Sequence, residues 1–211
     1  MQIISHRGYW LEASEKNSVA AFKRSFQNGL GLETDIRDFQ GKLVVSHAIP
    51  DAPVLLFEDF LKLYQAHGEN LMLALNIKSC GLYGLLKELL SRYQITNYFT
   101  FDMTVPDTLW YLNTGINSFA RQSECEPAPA FYERINGIWL DGFYGNWWTE
   151  VAVQQHLDNH KKVCIVSPEL HRRQHLPIWE KIRCSPFVKD DNLLICTDIP
   201  QQAEAFFKDY L

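Results

Sequence analysis

The sequence of 211 residues lacks the marks of several large functional classes. No apolar run approaches the roughly 20 residues of a membrane-spanning helix, so no integral membrane segment is expected. Lys and Arg together number 20 against 25 Asp and Glu, a formal charge of −5. No basic run or stripe is present to follow a phosphate backbone, which argues against a nucleic-acid partner. The cysteines Cys80, Cys125, Cys164, Cys184 and Cys196 are odd in number and lack metal-ligand spacing. Cys164 and Cys196 sit in apolar stretches where a reduced thiol acts as a small hydrophobe, so a disulfide framework is not expected. There is no internal repeat, low-complexity tract or linker, and the expectation is a single domain over residues 1–211. Met1-Gln2-Ile3-Ile4 enters a strand without a charged and apolar leader, which reads as a cytoplasmic chain.

What is present is concentrated in the first fifty residues. Three apolar runs end in chemistry: Ile4-Ser5-His6-Arg7-Gly8, Leu32-Glu33-Thr34-Asp35-Ile36 and Val44-Val45-Ser46-His47. At the period of two that a strand imposes, Glu33 and Asp35 share one face, and Leu43, Val45 and His47 share another. Carboxylates two apart on a strand can hold a hard divalent cation. A cation and a guanidinium can neutralise phosphate oxygens. Two imidazoles can serve as base and acid. Together these are the parts of a metal-assisted attack on a phosphate.

The pieces His6-Arg7-Gly8, Asn17-Ser18 ahead of a helix with Ala21-Phe22, Gly31-x-Glu33-x-Asp35 and Gly41-x-x-Val44-Val45-x-His47 match a known signature in order and spacing. They resemble the glycerophosphodiester phosphodiesterase family, within the superfamily of PI-PLC-like phosphodiesterase TIM barrels. The resemblance implies a metal-dependent phosphoric diester hydrolase acting on a small-molecule, glycerophosphodiester-like substrate. It implies His6 and His47 as the acid/base pair, Arg7 as a phosphate contact, and Glu33 and Asp35 as ligands of a divalent cation, Mg²⁺ or Ca²⁺.

Two departures from the family pattern stand out. Glu15-Lys16-Asn17-Ser18 replaces the usual Pro-Glu-Asn-Thr, keeping an amide and a hydroxyl suited to capping. Leu75-Asn76-Ile77-Lys78 replaces a Glu-x-Lys whose Glu is the third metal carboxylate. A neutral amide oxygen can also ligate a hard cation, so Asn76 is grouped with Glu33 and Asp35, at the loss of one charge. Lys78 is placed as a second phosphate contact or a brace for Glu33.

Beyond residue 50 the pattern gives the fold. Asn17 is expected to cap a helix carrying Val19, Phe22 and Phe26, ended by Asn28-Gly29, and the Gln40-Gly41 turn folds a short strand back on the second. Further strand-like runs occupy 71–77, 98–101, 118–120, 138–140, 163–166 and 193–196, nearly all separated by helical patterns. The exception is 122–136, with Pro127, Pro129 and only a short helical candidate around Phe131-Tyr132. Eight strands alternating with helices are the image of a (β/α)₈ barrel, here with a small hairpin inserted after the second strand.

In a TIM barrel the reactive face lies at the strand C-termini. Asp102, Arg121, Glu124, Asp141, Glu169 and Asp198 fall there, and Glu169, Glu124 and Asp141 are carried as additional site candidates, the first two as replacements for the carboxylate absent at Asn76. His171 follows the seventh strand. The aromatics from Trp139 to Trp148 suit either a ligand wall or a cap on the barrel. Two other readings stay open: a non-catalytic barrel that binds a phosphorylated ligand, and another metal-assisted enzyme of sugar or nucleotide phosphates.

Overall fold

The computed structural model describes residues 1–68 and 70–211. In chain order the strands and helices are β1 (Gln2–Ser5), α1 (Val19–Gln27), β2 (Gly31–Phe39), β3 (Lys42–Val45), α2 (Phe57–His67), β4 (Leu73–Ile77), α3 (Tyr83–Arg92), β5 (Tyr98–Phe101), α4 (Val105–Thr114), β6 (Phe119–Gln122), β7 (Gly137–Leu140), α5 (Glu150–Asp158), β8 (Lys162–Val166), α6 (Leu176–Arg183), β9 (Leu193–Thr197) and α7 (Pro200–Phe207). All but β2 are separated from the next strand by a helix or a long loop. No described helix is long and apolar enough to cross a membrane. None of the five cysteines is in a disulfide, and Cys164 and Cys196 are buried as expected.

The described residues form two compact units, Ser5–Ser118, and Met1–Ile4 with Phe119–Leu211. In the first, β2, β4 and β5 are neighbours in parallel, with Asp35 opposite Asn76. β3 returns antiparallel on β2 through Gln40 and Gly41, whose φ angles of 49° and 76° suit a two-residue hairpin turn. Alternation on β2 sends Leu32 and Ile36 into a core with Phe22, Phe26, Phe60 and Leu86. Phe22 meets Phe60 edge to face at 5.0 Å. Each such side chain, fully buried, contributes on the order of 2 kcal/mol. Glu33 and Asp35 take the opposite side of β2.

The second unit stacks β6, β7, β8 and β9 in parallel in that order. Trp179 on α6 is 1% exposed and packs on Phe206 and Phe207 of α7. Here several local expectations are corrected. Residues around Phe131-Tyr132 form turns and no helix, because Pro127 and Pro129 supply no N–H and Phe131 is left-handed at φ 54°. β6 runs to Gln122, so Arg121 lies inside the strand and not past it.

In the first unit α1 is capped by Ser18, whose hydroxyl accepts from Ala21 N, and not by Asn17. Val19 is 41% exposed, so only Phe22 and Phe26 of the expected trio are buried. β3 stops at Val45 with Leu43, Val44 and Val45 all buried, and His47 stands past it in an exposed bend instead of on a strand face.

Two glycines test the backbone. Gly8 (φ 84°) and Gly41 (φ 76°) are both left-handed, but a Cβ on Gly8 would lie 2.8 Å from Ala21 Cβ, whereas one on Gly41 meets nothing within 4 Å. Gly41→Ala should cost only the left-handed placement, about 1–2 kcal/mol. Gly8→Ala should cost at least about 1 kcal/mol more, from the overlap. Urea midpoints at unchanged m-value check the ordering, and equal shifts would mean that α1 yields at Ala21.

Candidate active site

The site is built on the turn that ends β1. Arg7 and Gly8 both take left-handed backbone, at φ 55° and 84°, which turns Arg7 N–H onto Glu33 Oε2 at 3.0 Å. Asn17, also left-handed at φ 60°, donates its own N–H to Arg7 O at 2.9 Å. Its side-chain amide donates to Asp35 Oδ2 at 2.8 Å and accepts from the Thr34 hydroxyl at 2.9 Å. The loop after β1 is thereby fastened to β2 beside both carboxylates.

Cations close the arrangement. Arg7 Nε pairs with Asp35 Oδ2 at 3.0 Å, without the alignment of a hydrogen bond. Lys78 Nζ lies 3.4 Å from Asp35 Oδ1 and 3.9 Å from Asp102 Oδ2. Asp102 follows β5 in left-handed backbone at φ 67°. His6 Nε2 stands 3.9 Å from Glu33 Oε2. The residues named from sequence as His6, Arg7, Glu33, Asp35, Asn76 and Lys78 therefore come together in the first unit. Lys78 braces Asp35 instead of Glu33.

Burial sets the electrostatics. Glu33 and Asp35 are both 0% exposed. Loss of water, then the neighbouring Asp35 charge, pushes the Glu33 carboxyl up to about 7, against the opposing pull of His6, Arg7 and Lys78. His47 is held below its ordinary value, first by partial withdrawal from water and then by Arg7, with Lys78 and His6 adding to the effect and Asp35 opposing it. Those partners place His47 in the field of the same cluster, at its exposed rim.

Three buried oxygens in the cluster have no hydrogen-bond donor: Glu33 Oε1, Asp35 Oδ1 and Asn76 Oδ1. They come from adjacent parallel strands, with Asp35 and Asn76 in direct register. Buried oxygens are normally satisfied, so a set of three on two neighbouring strands calls for a missing partner. Two carboxylate oxygens and an amide oxygen are hard ligands that fit a divalent cation. Among the described residues no three His, Cys, Asp or Glu side chains group in this way, because the third oxygen is an amide.

The other candidates lie in the second unit and are engaged there. Glu124 accepts from the backbone N–H groups of Phe143, Tyr144 and Gly145 at 3.1, 2.6 and 3.3 Å. Glu169 takes the hydroxyls of Ser167 and Thr197 and the N–H of Asp198. Asp141, 5% exposed, accepts from Gly142 N–H at 2.8 Å and pairs with His171 Nε2 at 2.7 Å. Of the aromatic run, Trp148 is buried at 5% exposure and Tyr144 is 82% exposed. Sequence reasoning assigned Asn17 a capping role and missed its side-chain contact with Asp35. The only signal was an Asn immediately before a hydroxyl residue able to cap by itself.

No family model matches the sequence, and no curated protein matches it. Solved structures do. A glycerophosphodiester phosphodiesterase of Agrobacterium tumefaciens superposes with a TM-score of 0.71 at 14% identity, over 97% of this chain and 99% of that one. A phosphodiesterase of Oleispira antarctica, in complex with the product sn-glycerol-3-phosphate, gives 0.70 at 15% identity, over 99% and 97%. A Ca²⁺-dependent phosphatidylinositol-specific phospholipase C of Streptomyces antibioticus gives 0.59 at 10% identity, over 96% and 95%. The fold of this chain is that of these phosphodiesterases, a TIM barrel with a hairpin after its second strand.

Glu33 gives the site a measurable pH signature. Its folded value of about 7 lies above the ordinary 4.5, so between the two the folded chain binds more protons than the unfolded one. The stability tied to this proton is complete at low pH and is lost as pH rises through about 7. His47, favoured neutral in the fold, works in the opposite sense. The Tm of chelator-treated protein should therefore fall more steeply between about pH 5 and about pH 8 in wild type than in Glu33→Gln. Identical slopes would show that Glu33 does not hold the proton.

Proposed function

We propose that the chain is a phosphodiesterase of small-molecule, glycerophosphodiester-like substrates, working by acid–base catalysis with His6 and His47 beside a divalent cation. The observation that carries this is the trio of donor-less buried oxygens flanked by a guanidinium, an ammonium and the His6 imidazole, with His47 in the field of the same charges. The likeness in fold to phosphodiesterases, one of them described as Ca²⁺-dependent, supports it.

Glu33, Asp35 and Asn76 would hold the cation, Mg²⁺ or Ca²⁺, which when bound supplies positive charge against the phosphoryl oxygens. Arg7, steadied through Nε by Asp35, turns its remaining N–H donors to the phosphate, and Lys78 adds a second positive charge. His47, held toward its neutral form, takes the proton of the attacking oxygen. His6, beside the Glu33 carboxylate, returns a proton to the departing alkoxide. Attack by water gives a phosphomonoester and an alcohol, and attack by a neighbouring substrate hydroxyl gives a cyclic phosphate.

A phosphate-binding barrel without catalysis is the second reading, favoured by the neutral Asn76. It gives no role to two imidazoles at one site, since binding needs no acid and base.

Turnover of bis(p-nitrophenyl) phosphate and glycerophosphocholine with Mg²⁺, Ca²⁺ or chelator tests the proposal. Turnover is expected with cation and lost with chelator. No alcohol release by folded protein under any of these conditions sinks the catalytic reading. His6→Ala and His47→Ala should each lower kcat by at least about 10²-fold with folding retained. Arg7→Lys should lower kcat/KM, since it keeps the charge but loses the fork. Asn76→Glu, by adding a ligand charge, should tighten Mg²⁺ and Ca²⁺ binding in calorimetry.

A further inference from the structure

Each buried carboxylate of the site has one oxygen held by the protein and one left without a hydrogen bond. On Glu33 the held oxygen is Oε2, on the Arg7 N–H. On Asp35 it is Oδ2, which takes the Asn17 amide at 2.8 Å and Arg7 Nε at 3.0 Å, while Oδ1 has no hydrogen-bond donor. The two oxygens of a carboxylate are equivalent, so what the protein can fix is the rotation about the Cβ–Cγ bond, and with it the direction in which the free oxygen points. Arg7 Nε and Lys78 Nζ are ion-pair contacts of Asp35, and the Asn17 side-chain amide supplies the aligned hydrogen bond that holds this rotation.

An amide can present either its NH₂ or its oxygen, and only the NH₂ attracts a carboxylate. The choice is made on the other side of Asn17, where the buried Thr34 hydroxyl donates to Oδ1 at 2.9 Å. With its oxygen taken, the amide faces Asp35 with NH₂. The backbone supplies the placement: Asn17 is left-handed at φ 60°, a conformation Asn adopts more readily than most residues, and its N–H is tied to Arg7 O. A residue that only fastened the loop would need the backbone bond and nothing from Thr34.

We propose that Asn17 is a positioning residue that fixes the rotation of the Asp35 carboxylate so that its free oxygen faces the cation, and that Thr34 fixes the direction of the Asn17 amide. This rests on the cation site proposed above. Thr34 lies between Glu33 and Asp35 on β2 yet acts on the site through Asn17.

Calorimetric titration with Mg²⁺ and with Ca²⁺, on wild type, Asn17→Gly, Thr34→Val and Thr34→Ser, tests this. Asn17→Gly keeps the left-handed backbone and its N–H while removing the amide. It should weaken cation binding by about tenfold or more, the usual scale for a group that orients a metal ligand. Thr34→Val should weaken it in the same direction, and Thr34→Ser, which restores the hydroxyl, should return to wild type. Binding of inorganic phosphate by the metal-free protein, which reads Arg7 and Lys78, should be unchanged in Thr34→Val, whereas general loosening of the site would move both. If Asn17→Gly fails to fold, the Thr34 pair decides. Wild-type cation affinity in Thr34→Val, or in a folded Asn17→Gly, overturns the proposal and leaves the cation site standing. No cation binding by wild type overturns both.

Discussion

Two carboxylates two residues apart on one strand face, both out of water, are the constraint to which the rest of the site answers. Glu33 and Asp35 are each 0% exposed, and an uncompensated buried ion costs several kcal/mol. The compensation is local and backbone-based. The turn after β1 directs an N–H at Glu33, the next loop brings an amide to Asp35, and the ends of β1 and β4 contribute Arg7 and Lys78. Three non-glycine residues there, Arg7, Asn17 and Asp102, take left-handed backbone. Each such placement costs on the order of 1 kcal/mol or more and buries no apolar surface in return. The fold carries these costs where polar groups must be aimed.

The carboxylates of the second unit make a contrast on the same physical terms. Glu124 draws three consecutive amides onto itself, Glu169 ties Ser167 to Thr197, and Asp141 holds His171 and Gly142. Among the described residues, every buried carboxylate oxygen without a donor belongs to the first unit, at Glu33, Asp35 and Asp107. Asp107 is isolated at the start of α4, where its other oxygen takes Gly81 N–H at 3.1 Å. Acidic residues at the ends of β6 to β8 thus organise loops, and those on β2 each keep one oxygen without a donor. Glu33 and Asp35 lie inside β2, whereas Glu124, Asp141 and Glu169 follow the ends of β6, β7 and β8.

That distinction explains what was legible in the sequence. Strand and helix order followed from apolar periodicity, and the Gln40-Gly41 hairpin followed from turn-residue chemistry. Alternation on β2 correctly gave Glu33 and Asp35 a common face. Alternation failed for His47, because β3 ends two residues before it and the buried run of Leu43, Val44 and Val45 pairs with its neighbours on both sides. It was also silent on Asn17, whose contact with Asp35 depends on a left-handed residue in a loop, and periodicity says nothing there. Asn and Ser are both good caps, and only the structure assigns the cap to Ser18 and frees Asn17 to reach β2.

The amide at position 76 changes how the cluster balances its charge. Asn76 sits opposite Asp35 in the sheet, 7% exposed, with its oxygen unpaired. Arg7 and Lys78 stand against Glu33, Asp35 and the more distant Asp102, so a further carboxylate at position 76 would add to the negative charge before any ligand arrives. Without a cation, burial first and then the Asp35 charge push the Glu33 carboxyl up to about 7. In the proposed site a cation would displace the proton of that carboxyl, and with Asn76 the occupied cluster would be more positive by one charge than with Glu. Ligand charge governs how tightly a hard cation is held. Charge placed at the phosphoryl oxygens governs how far a developing negative charge is stabilised. In the proposed site Asn76 would therefore trade the first for the second, an exchange that favours turnover over retention of the cation.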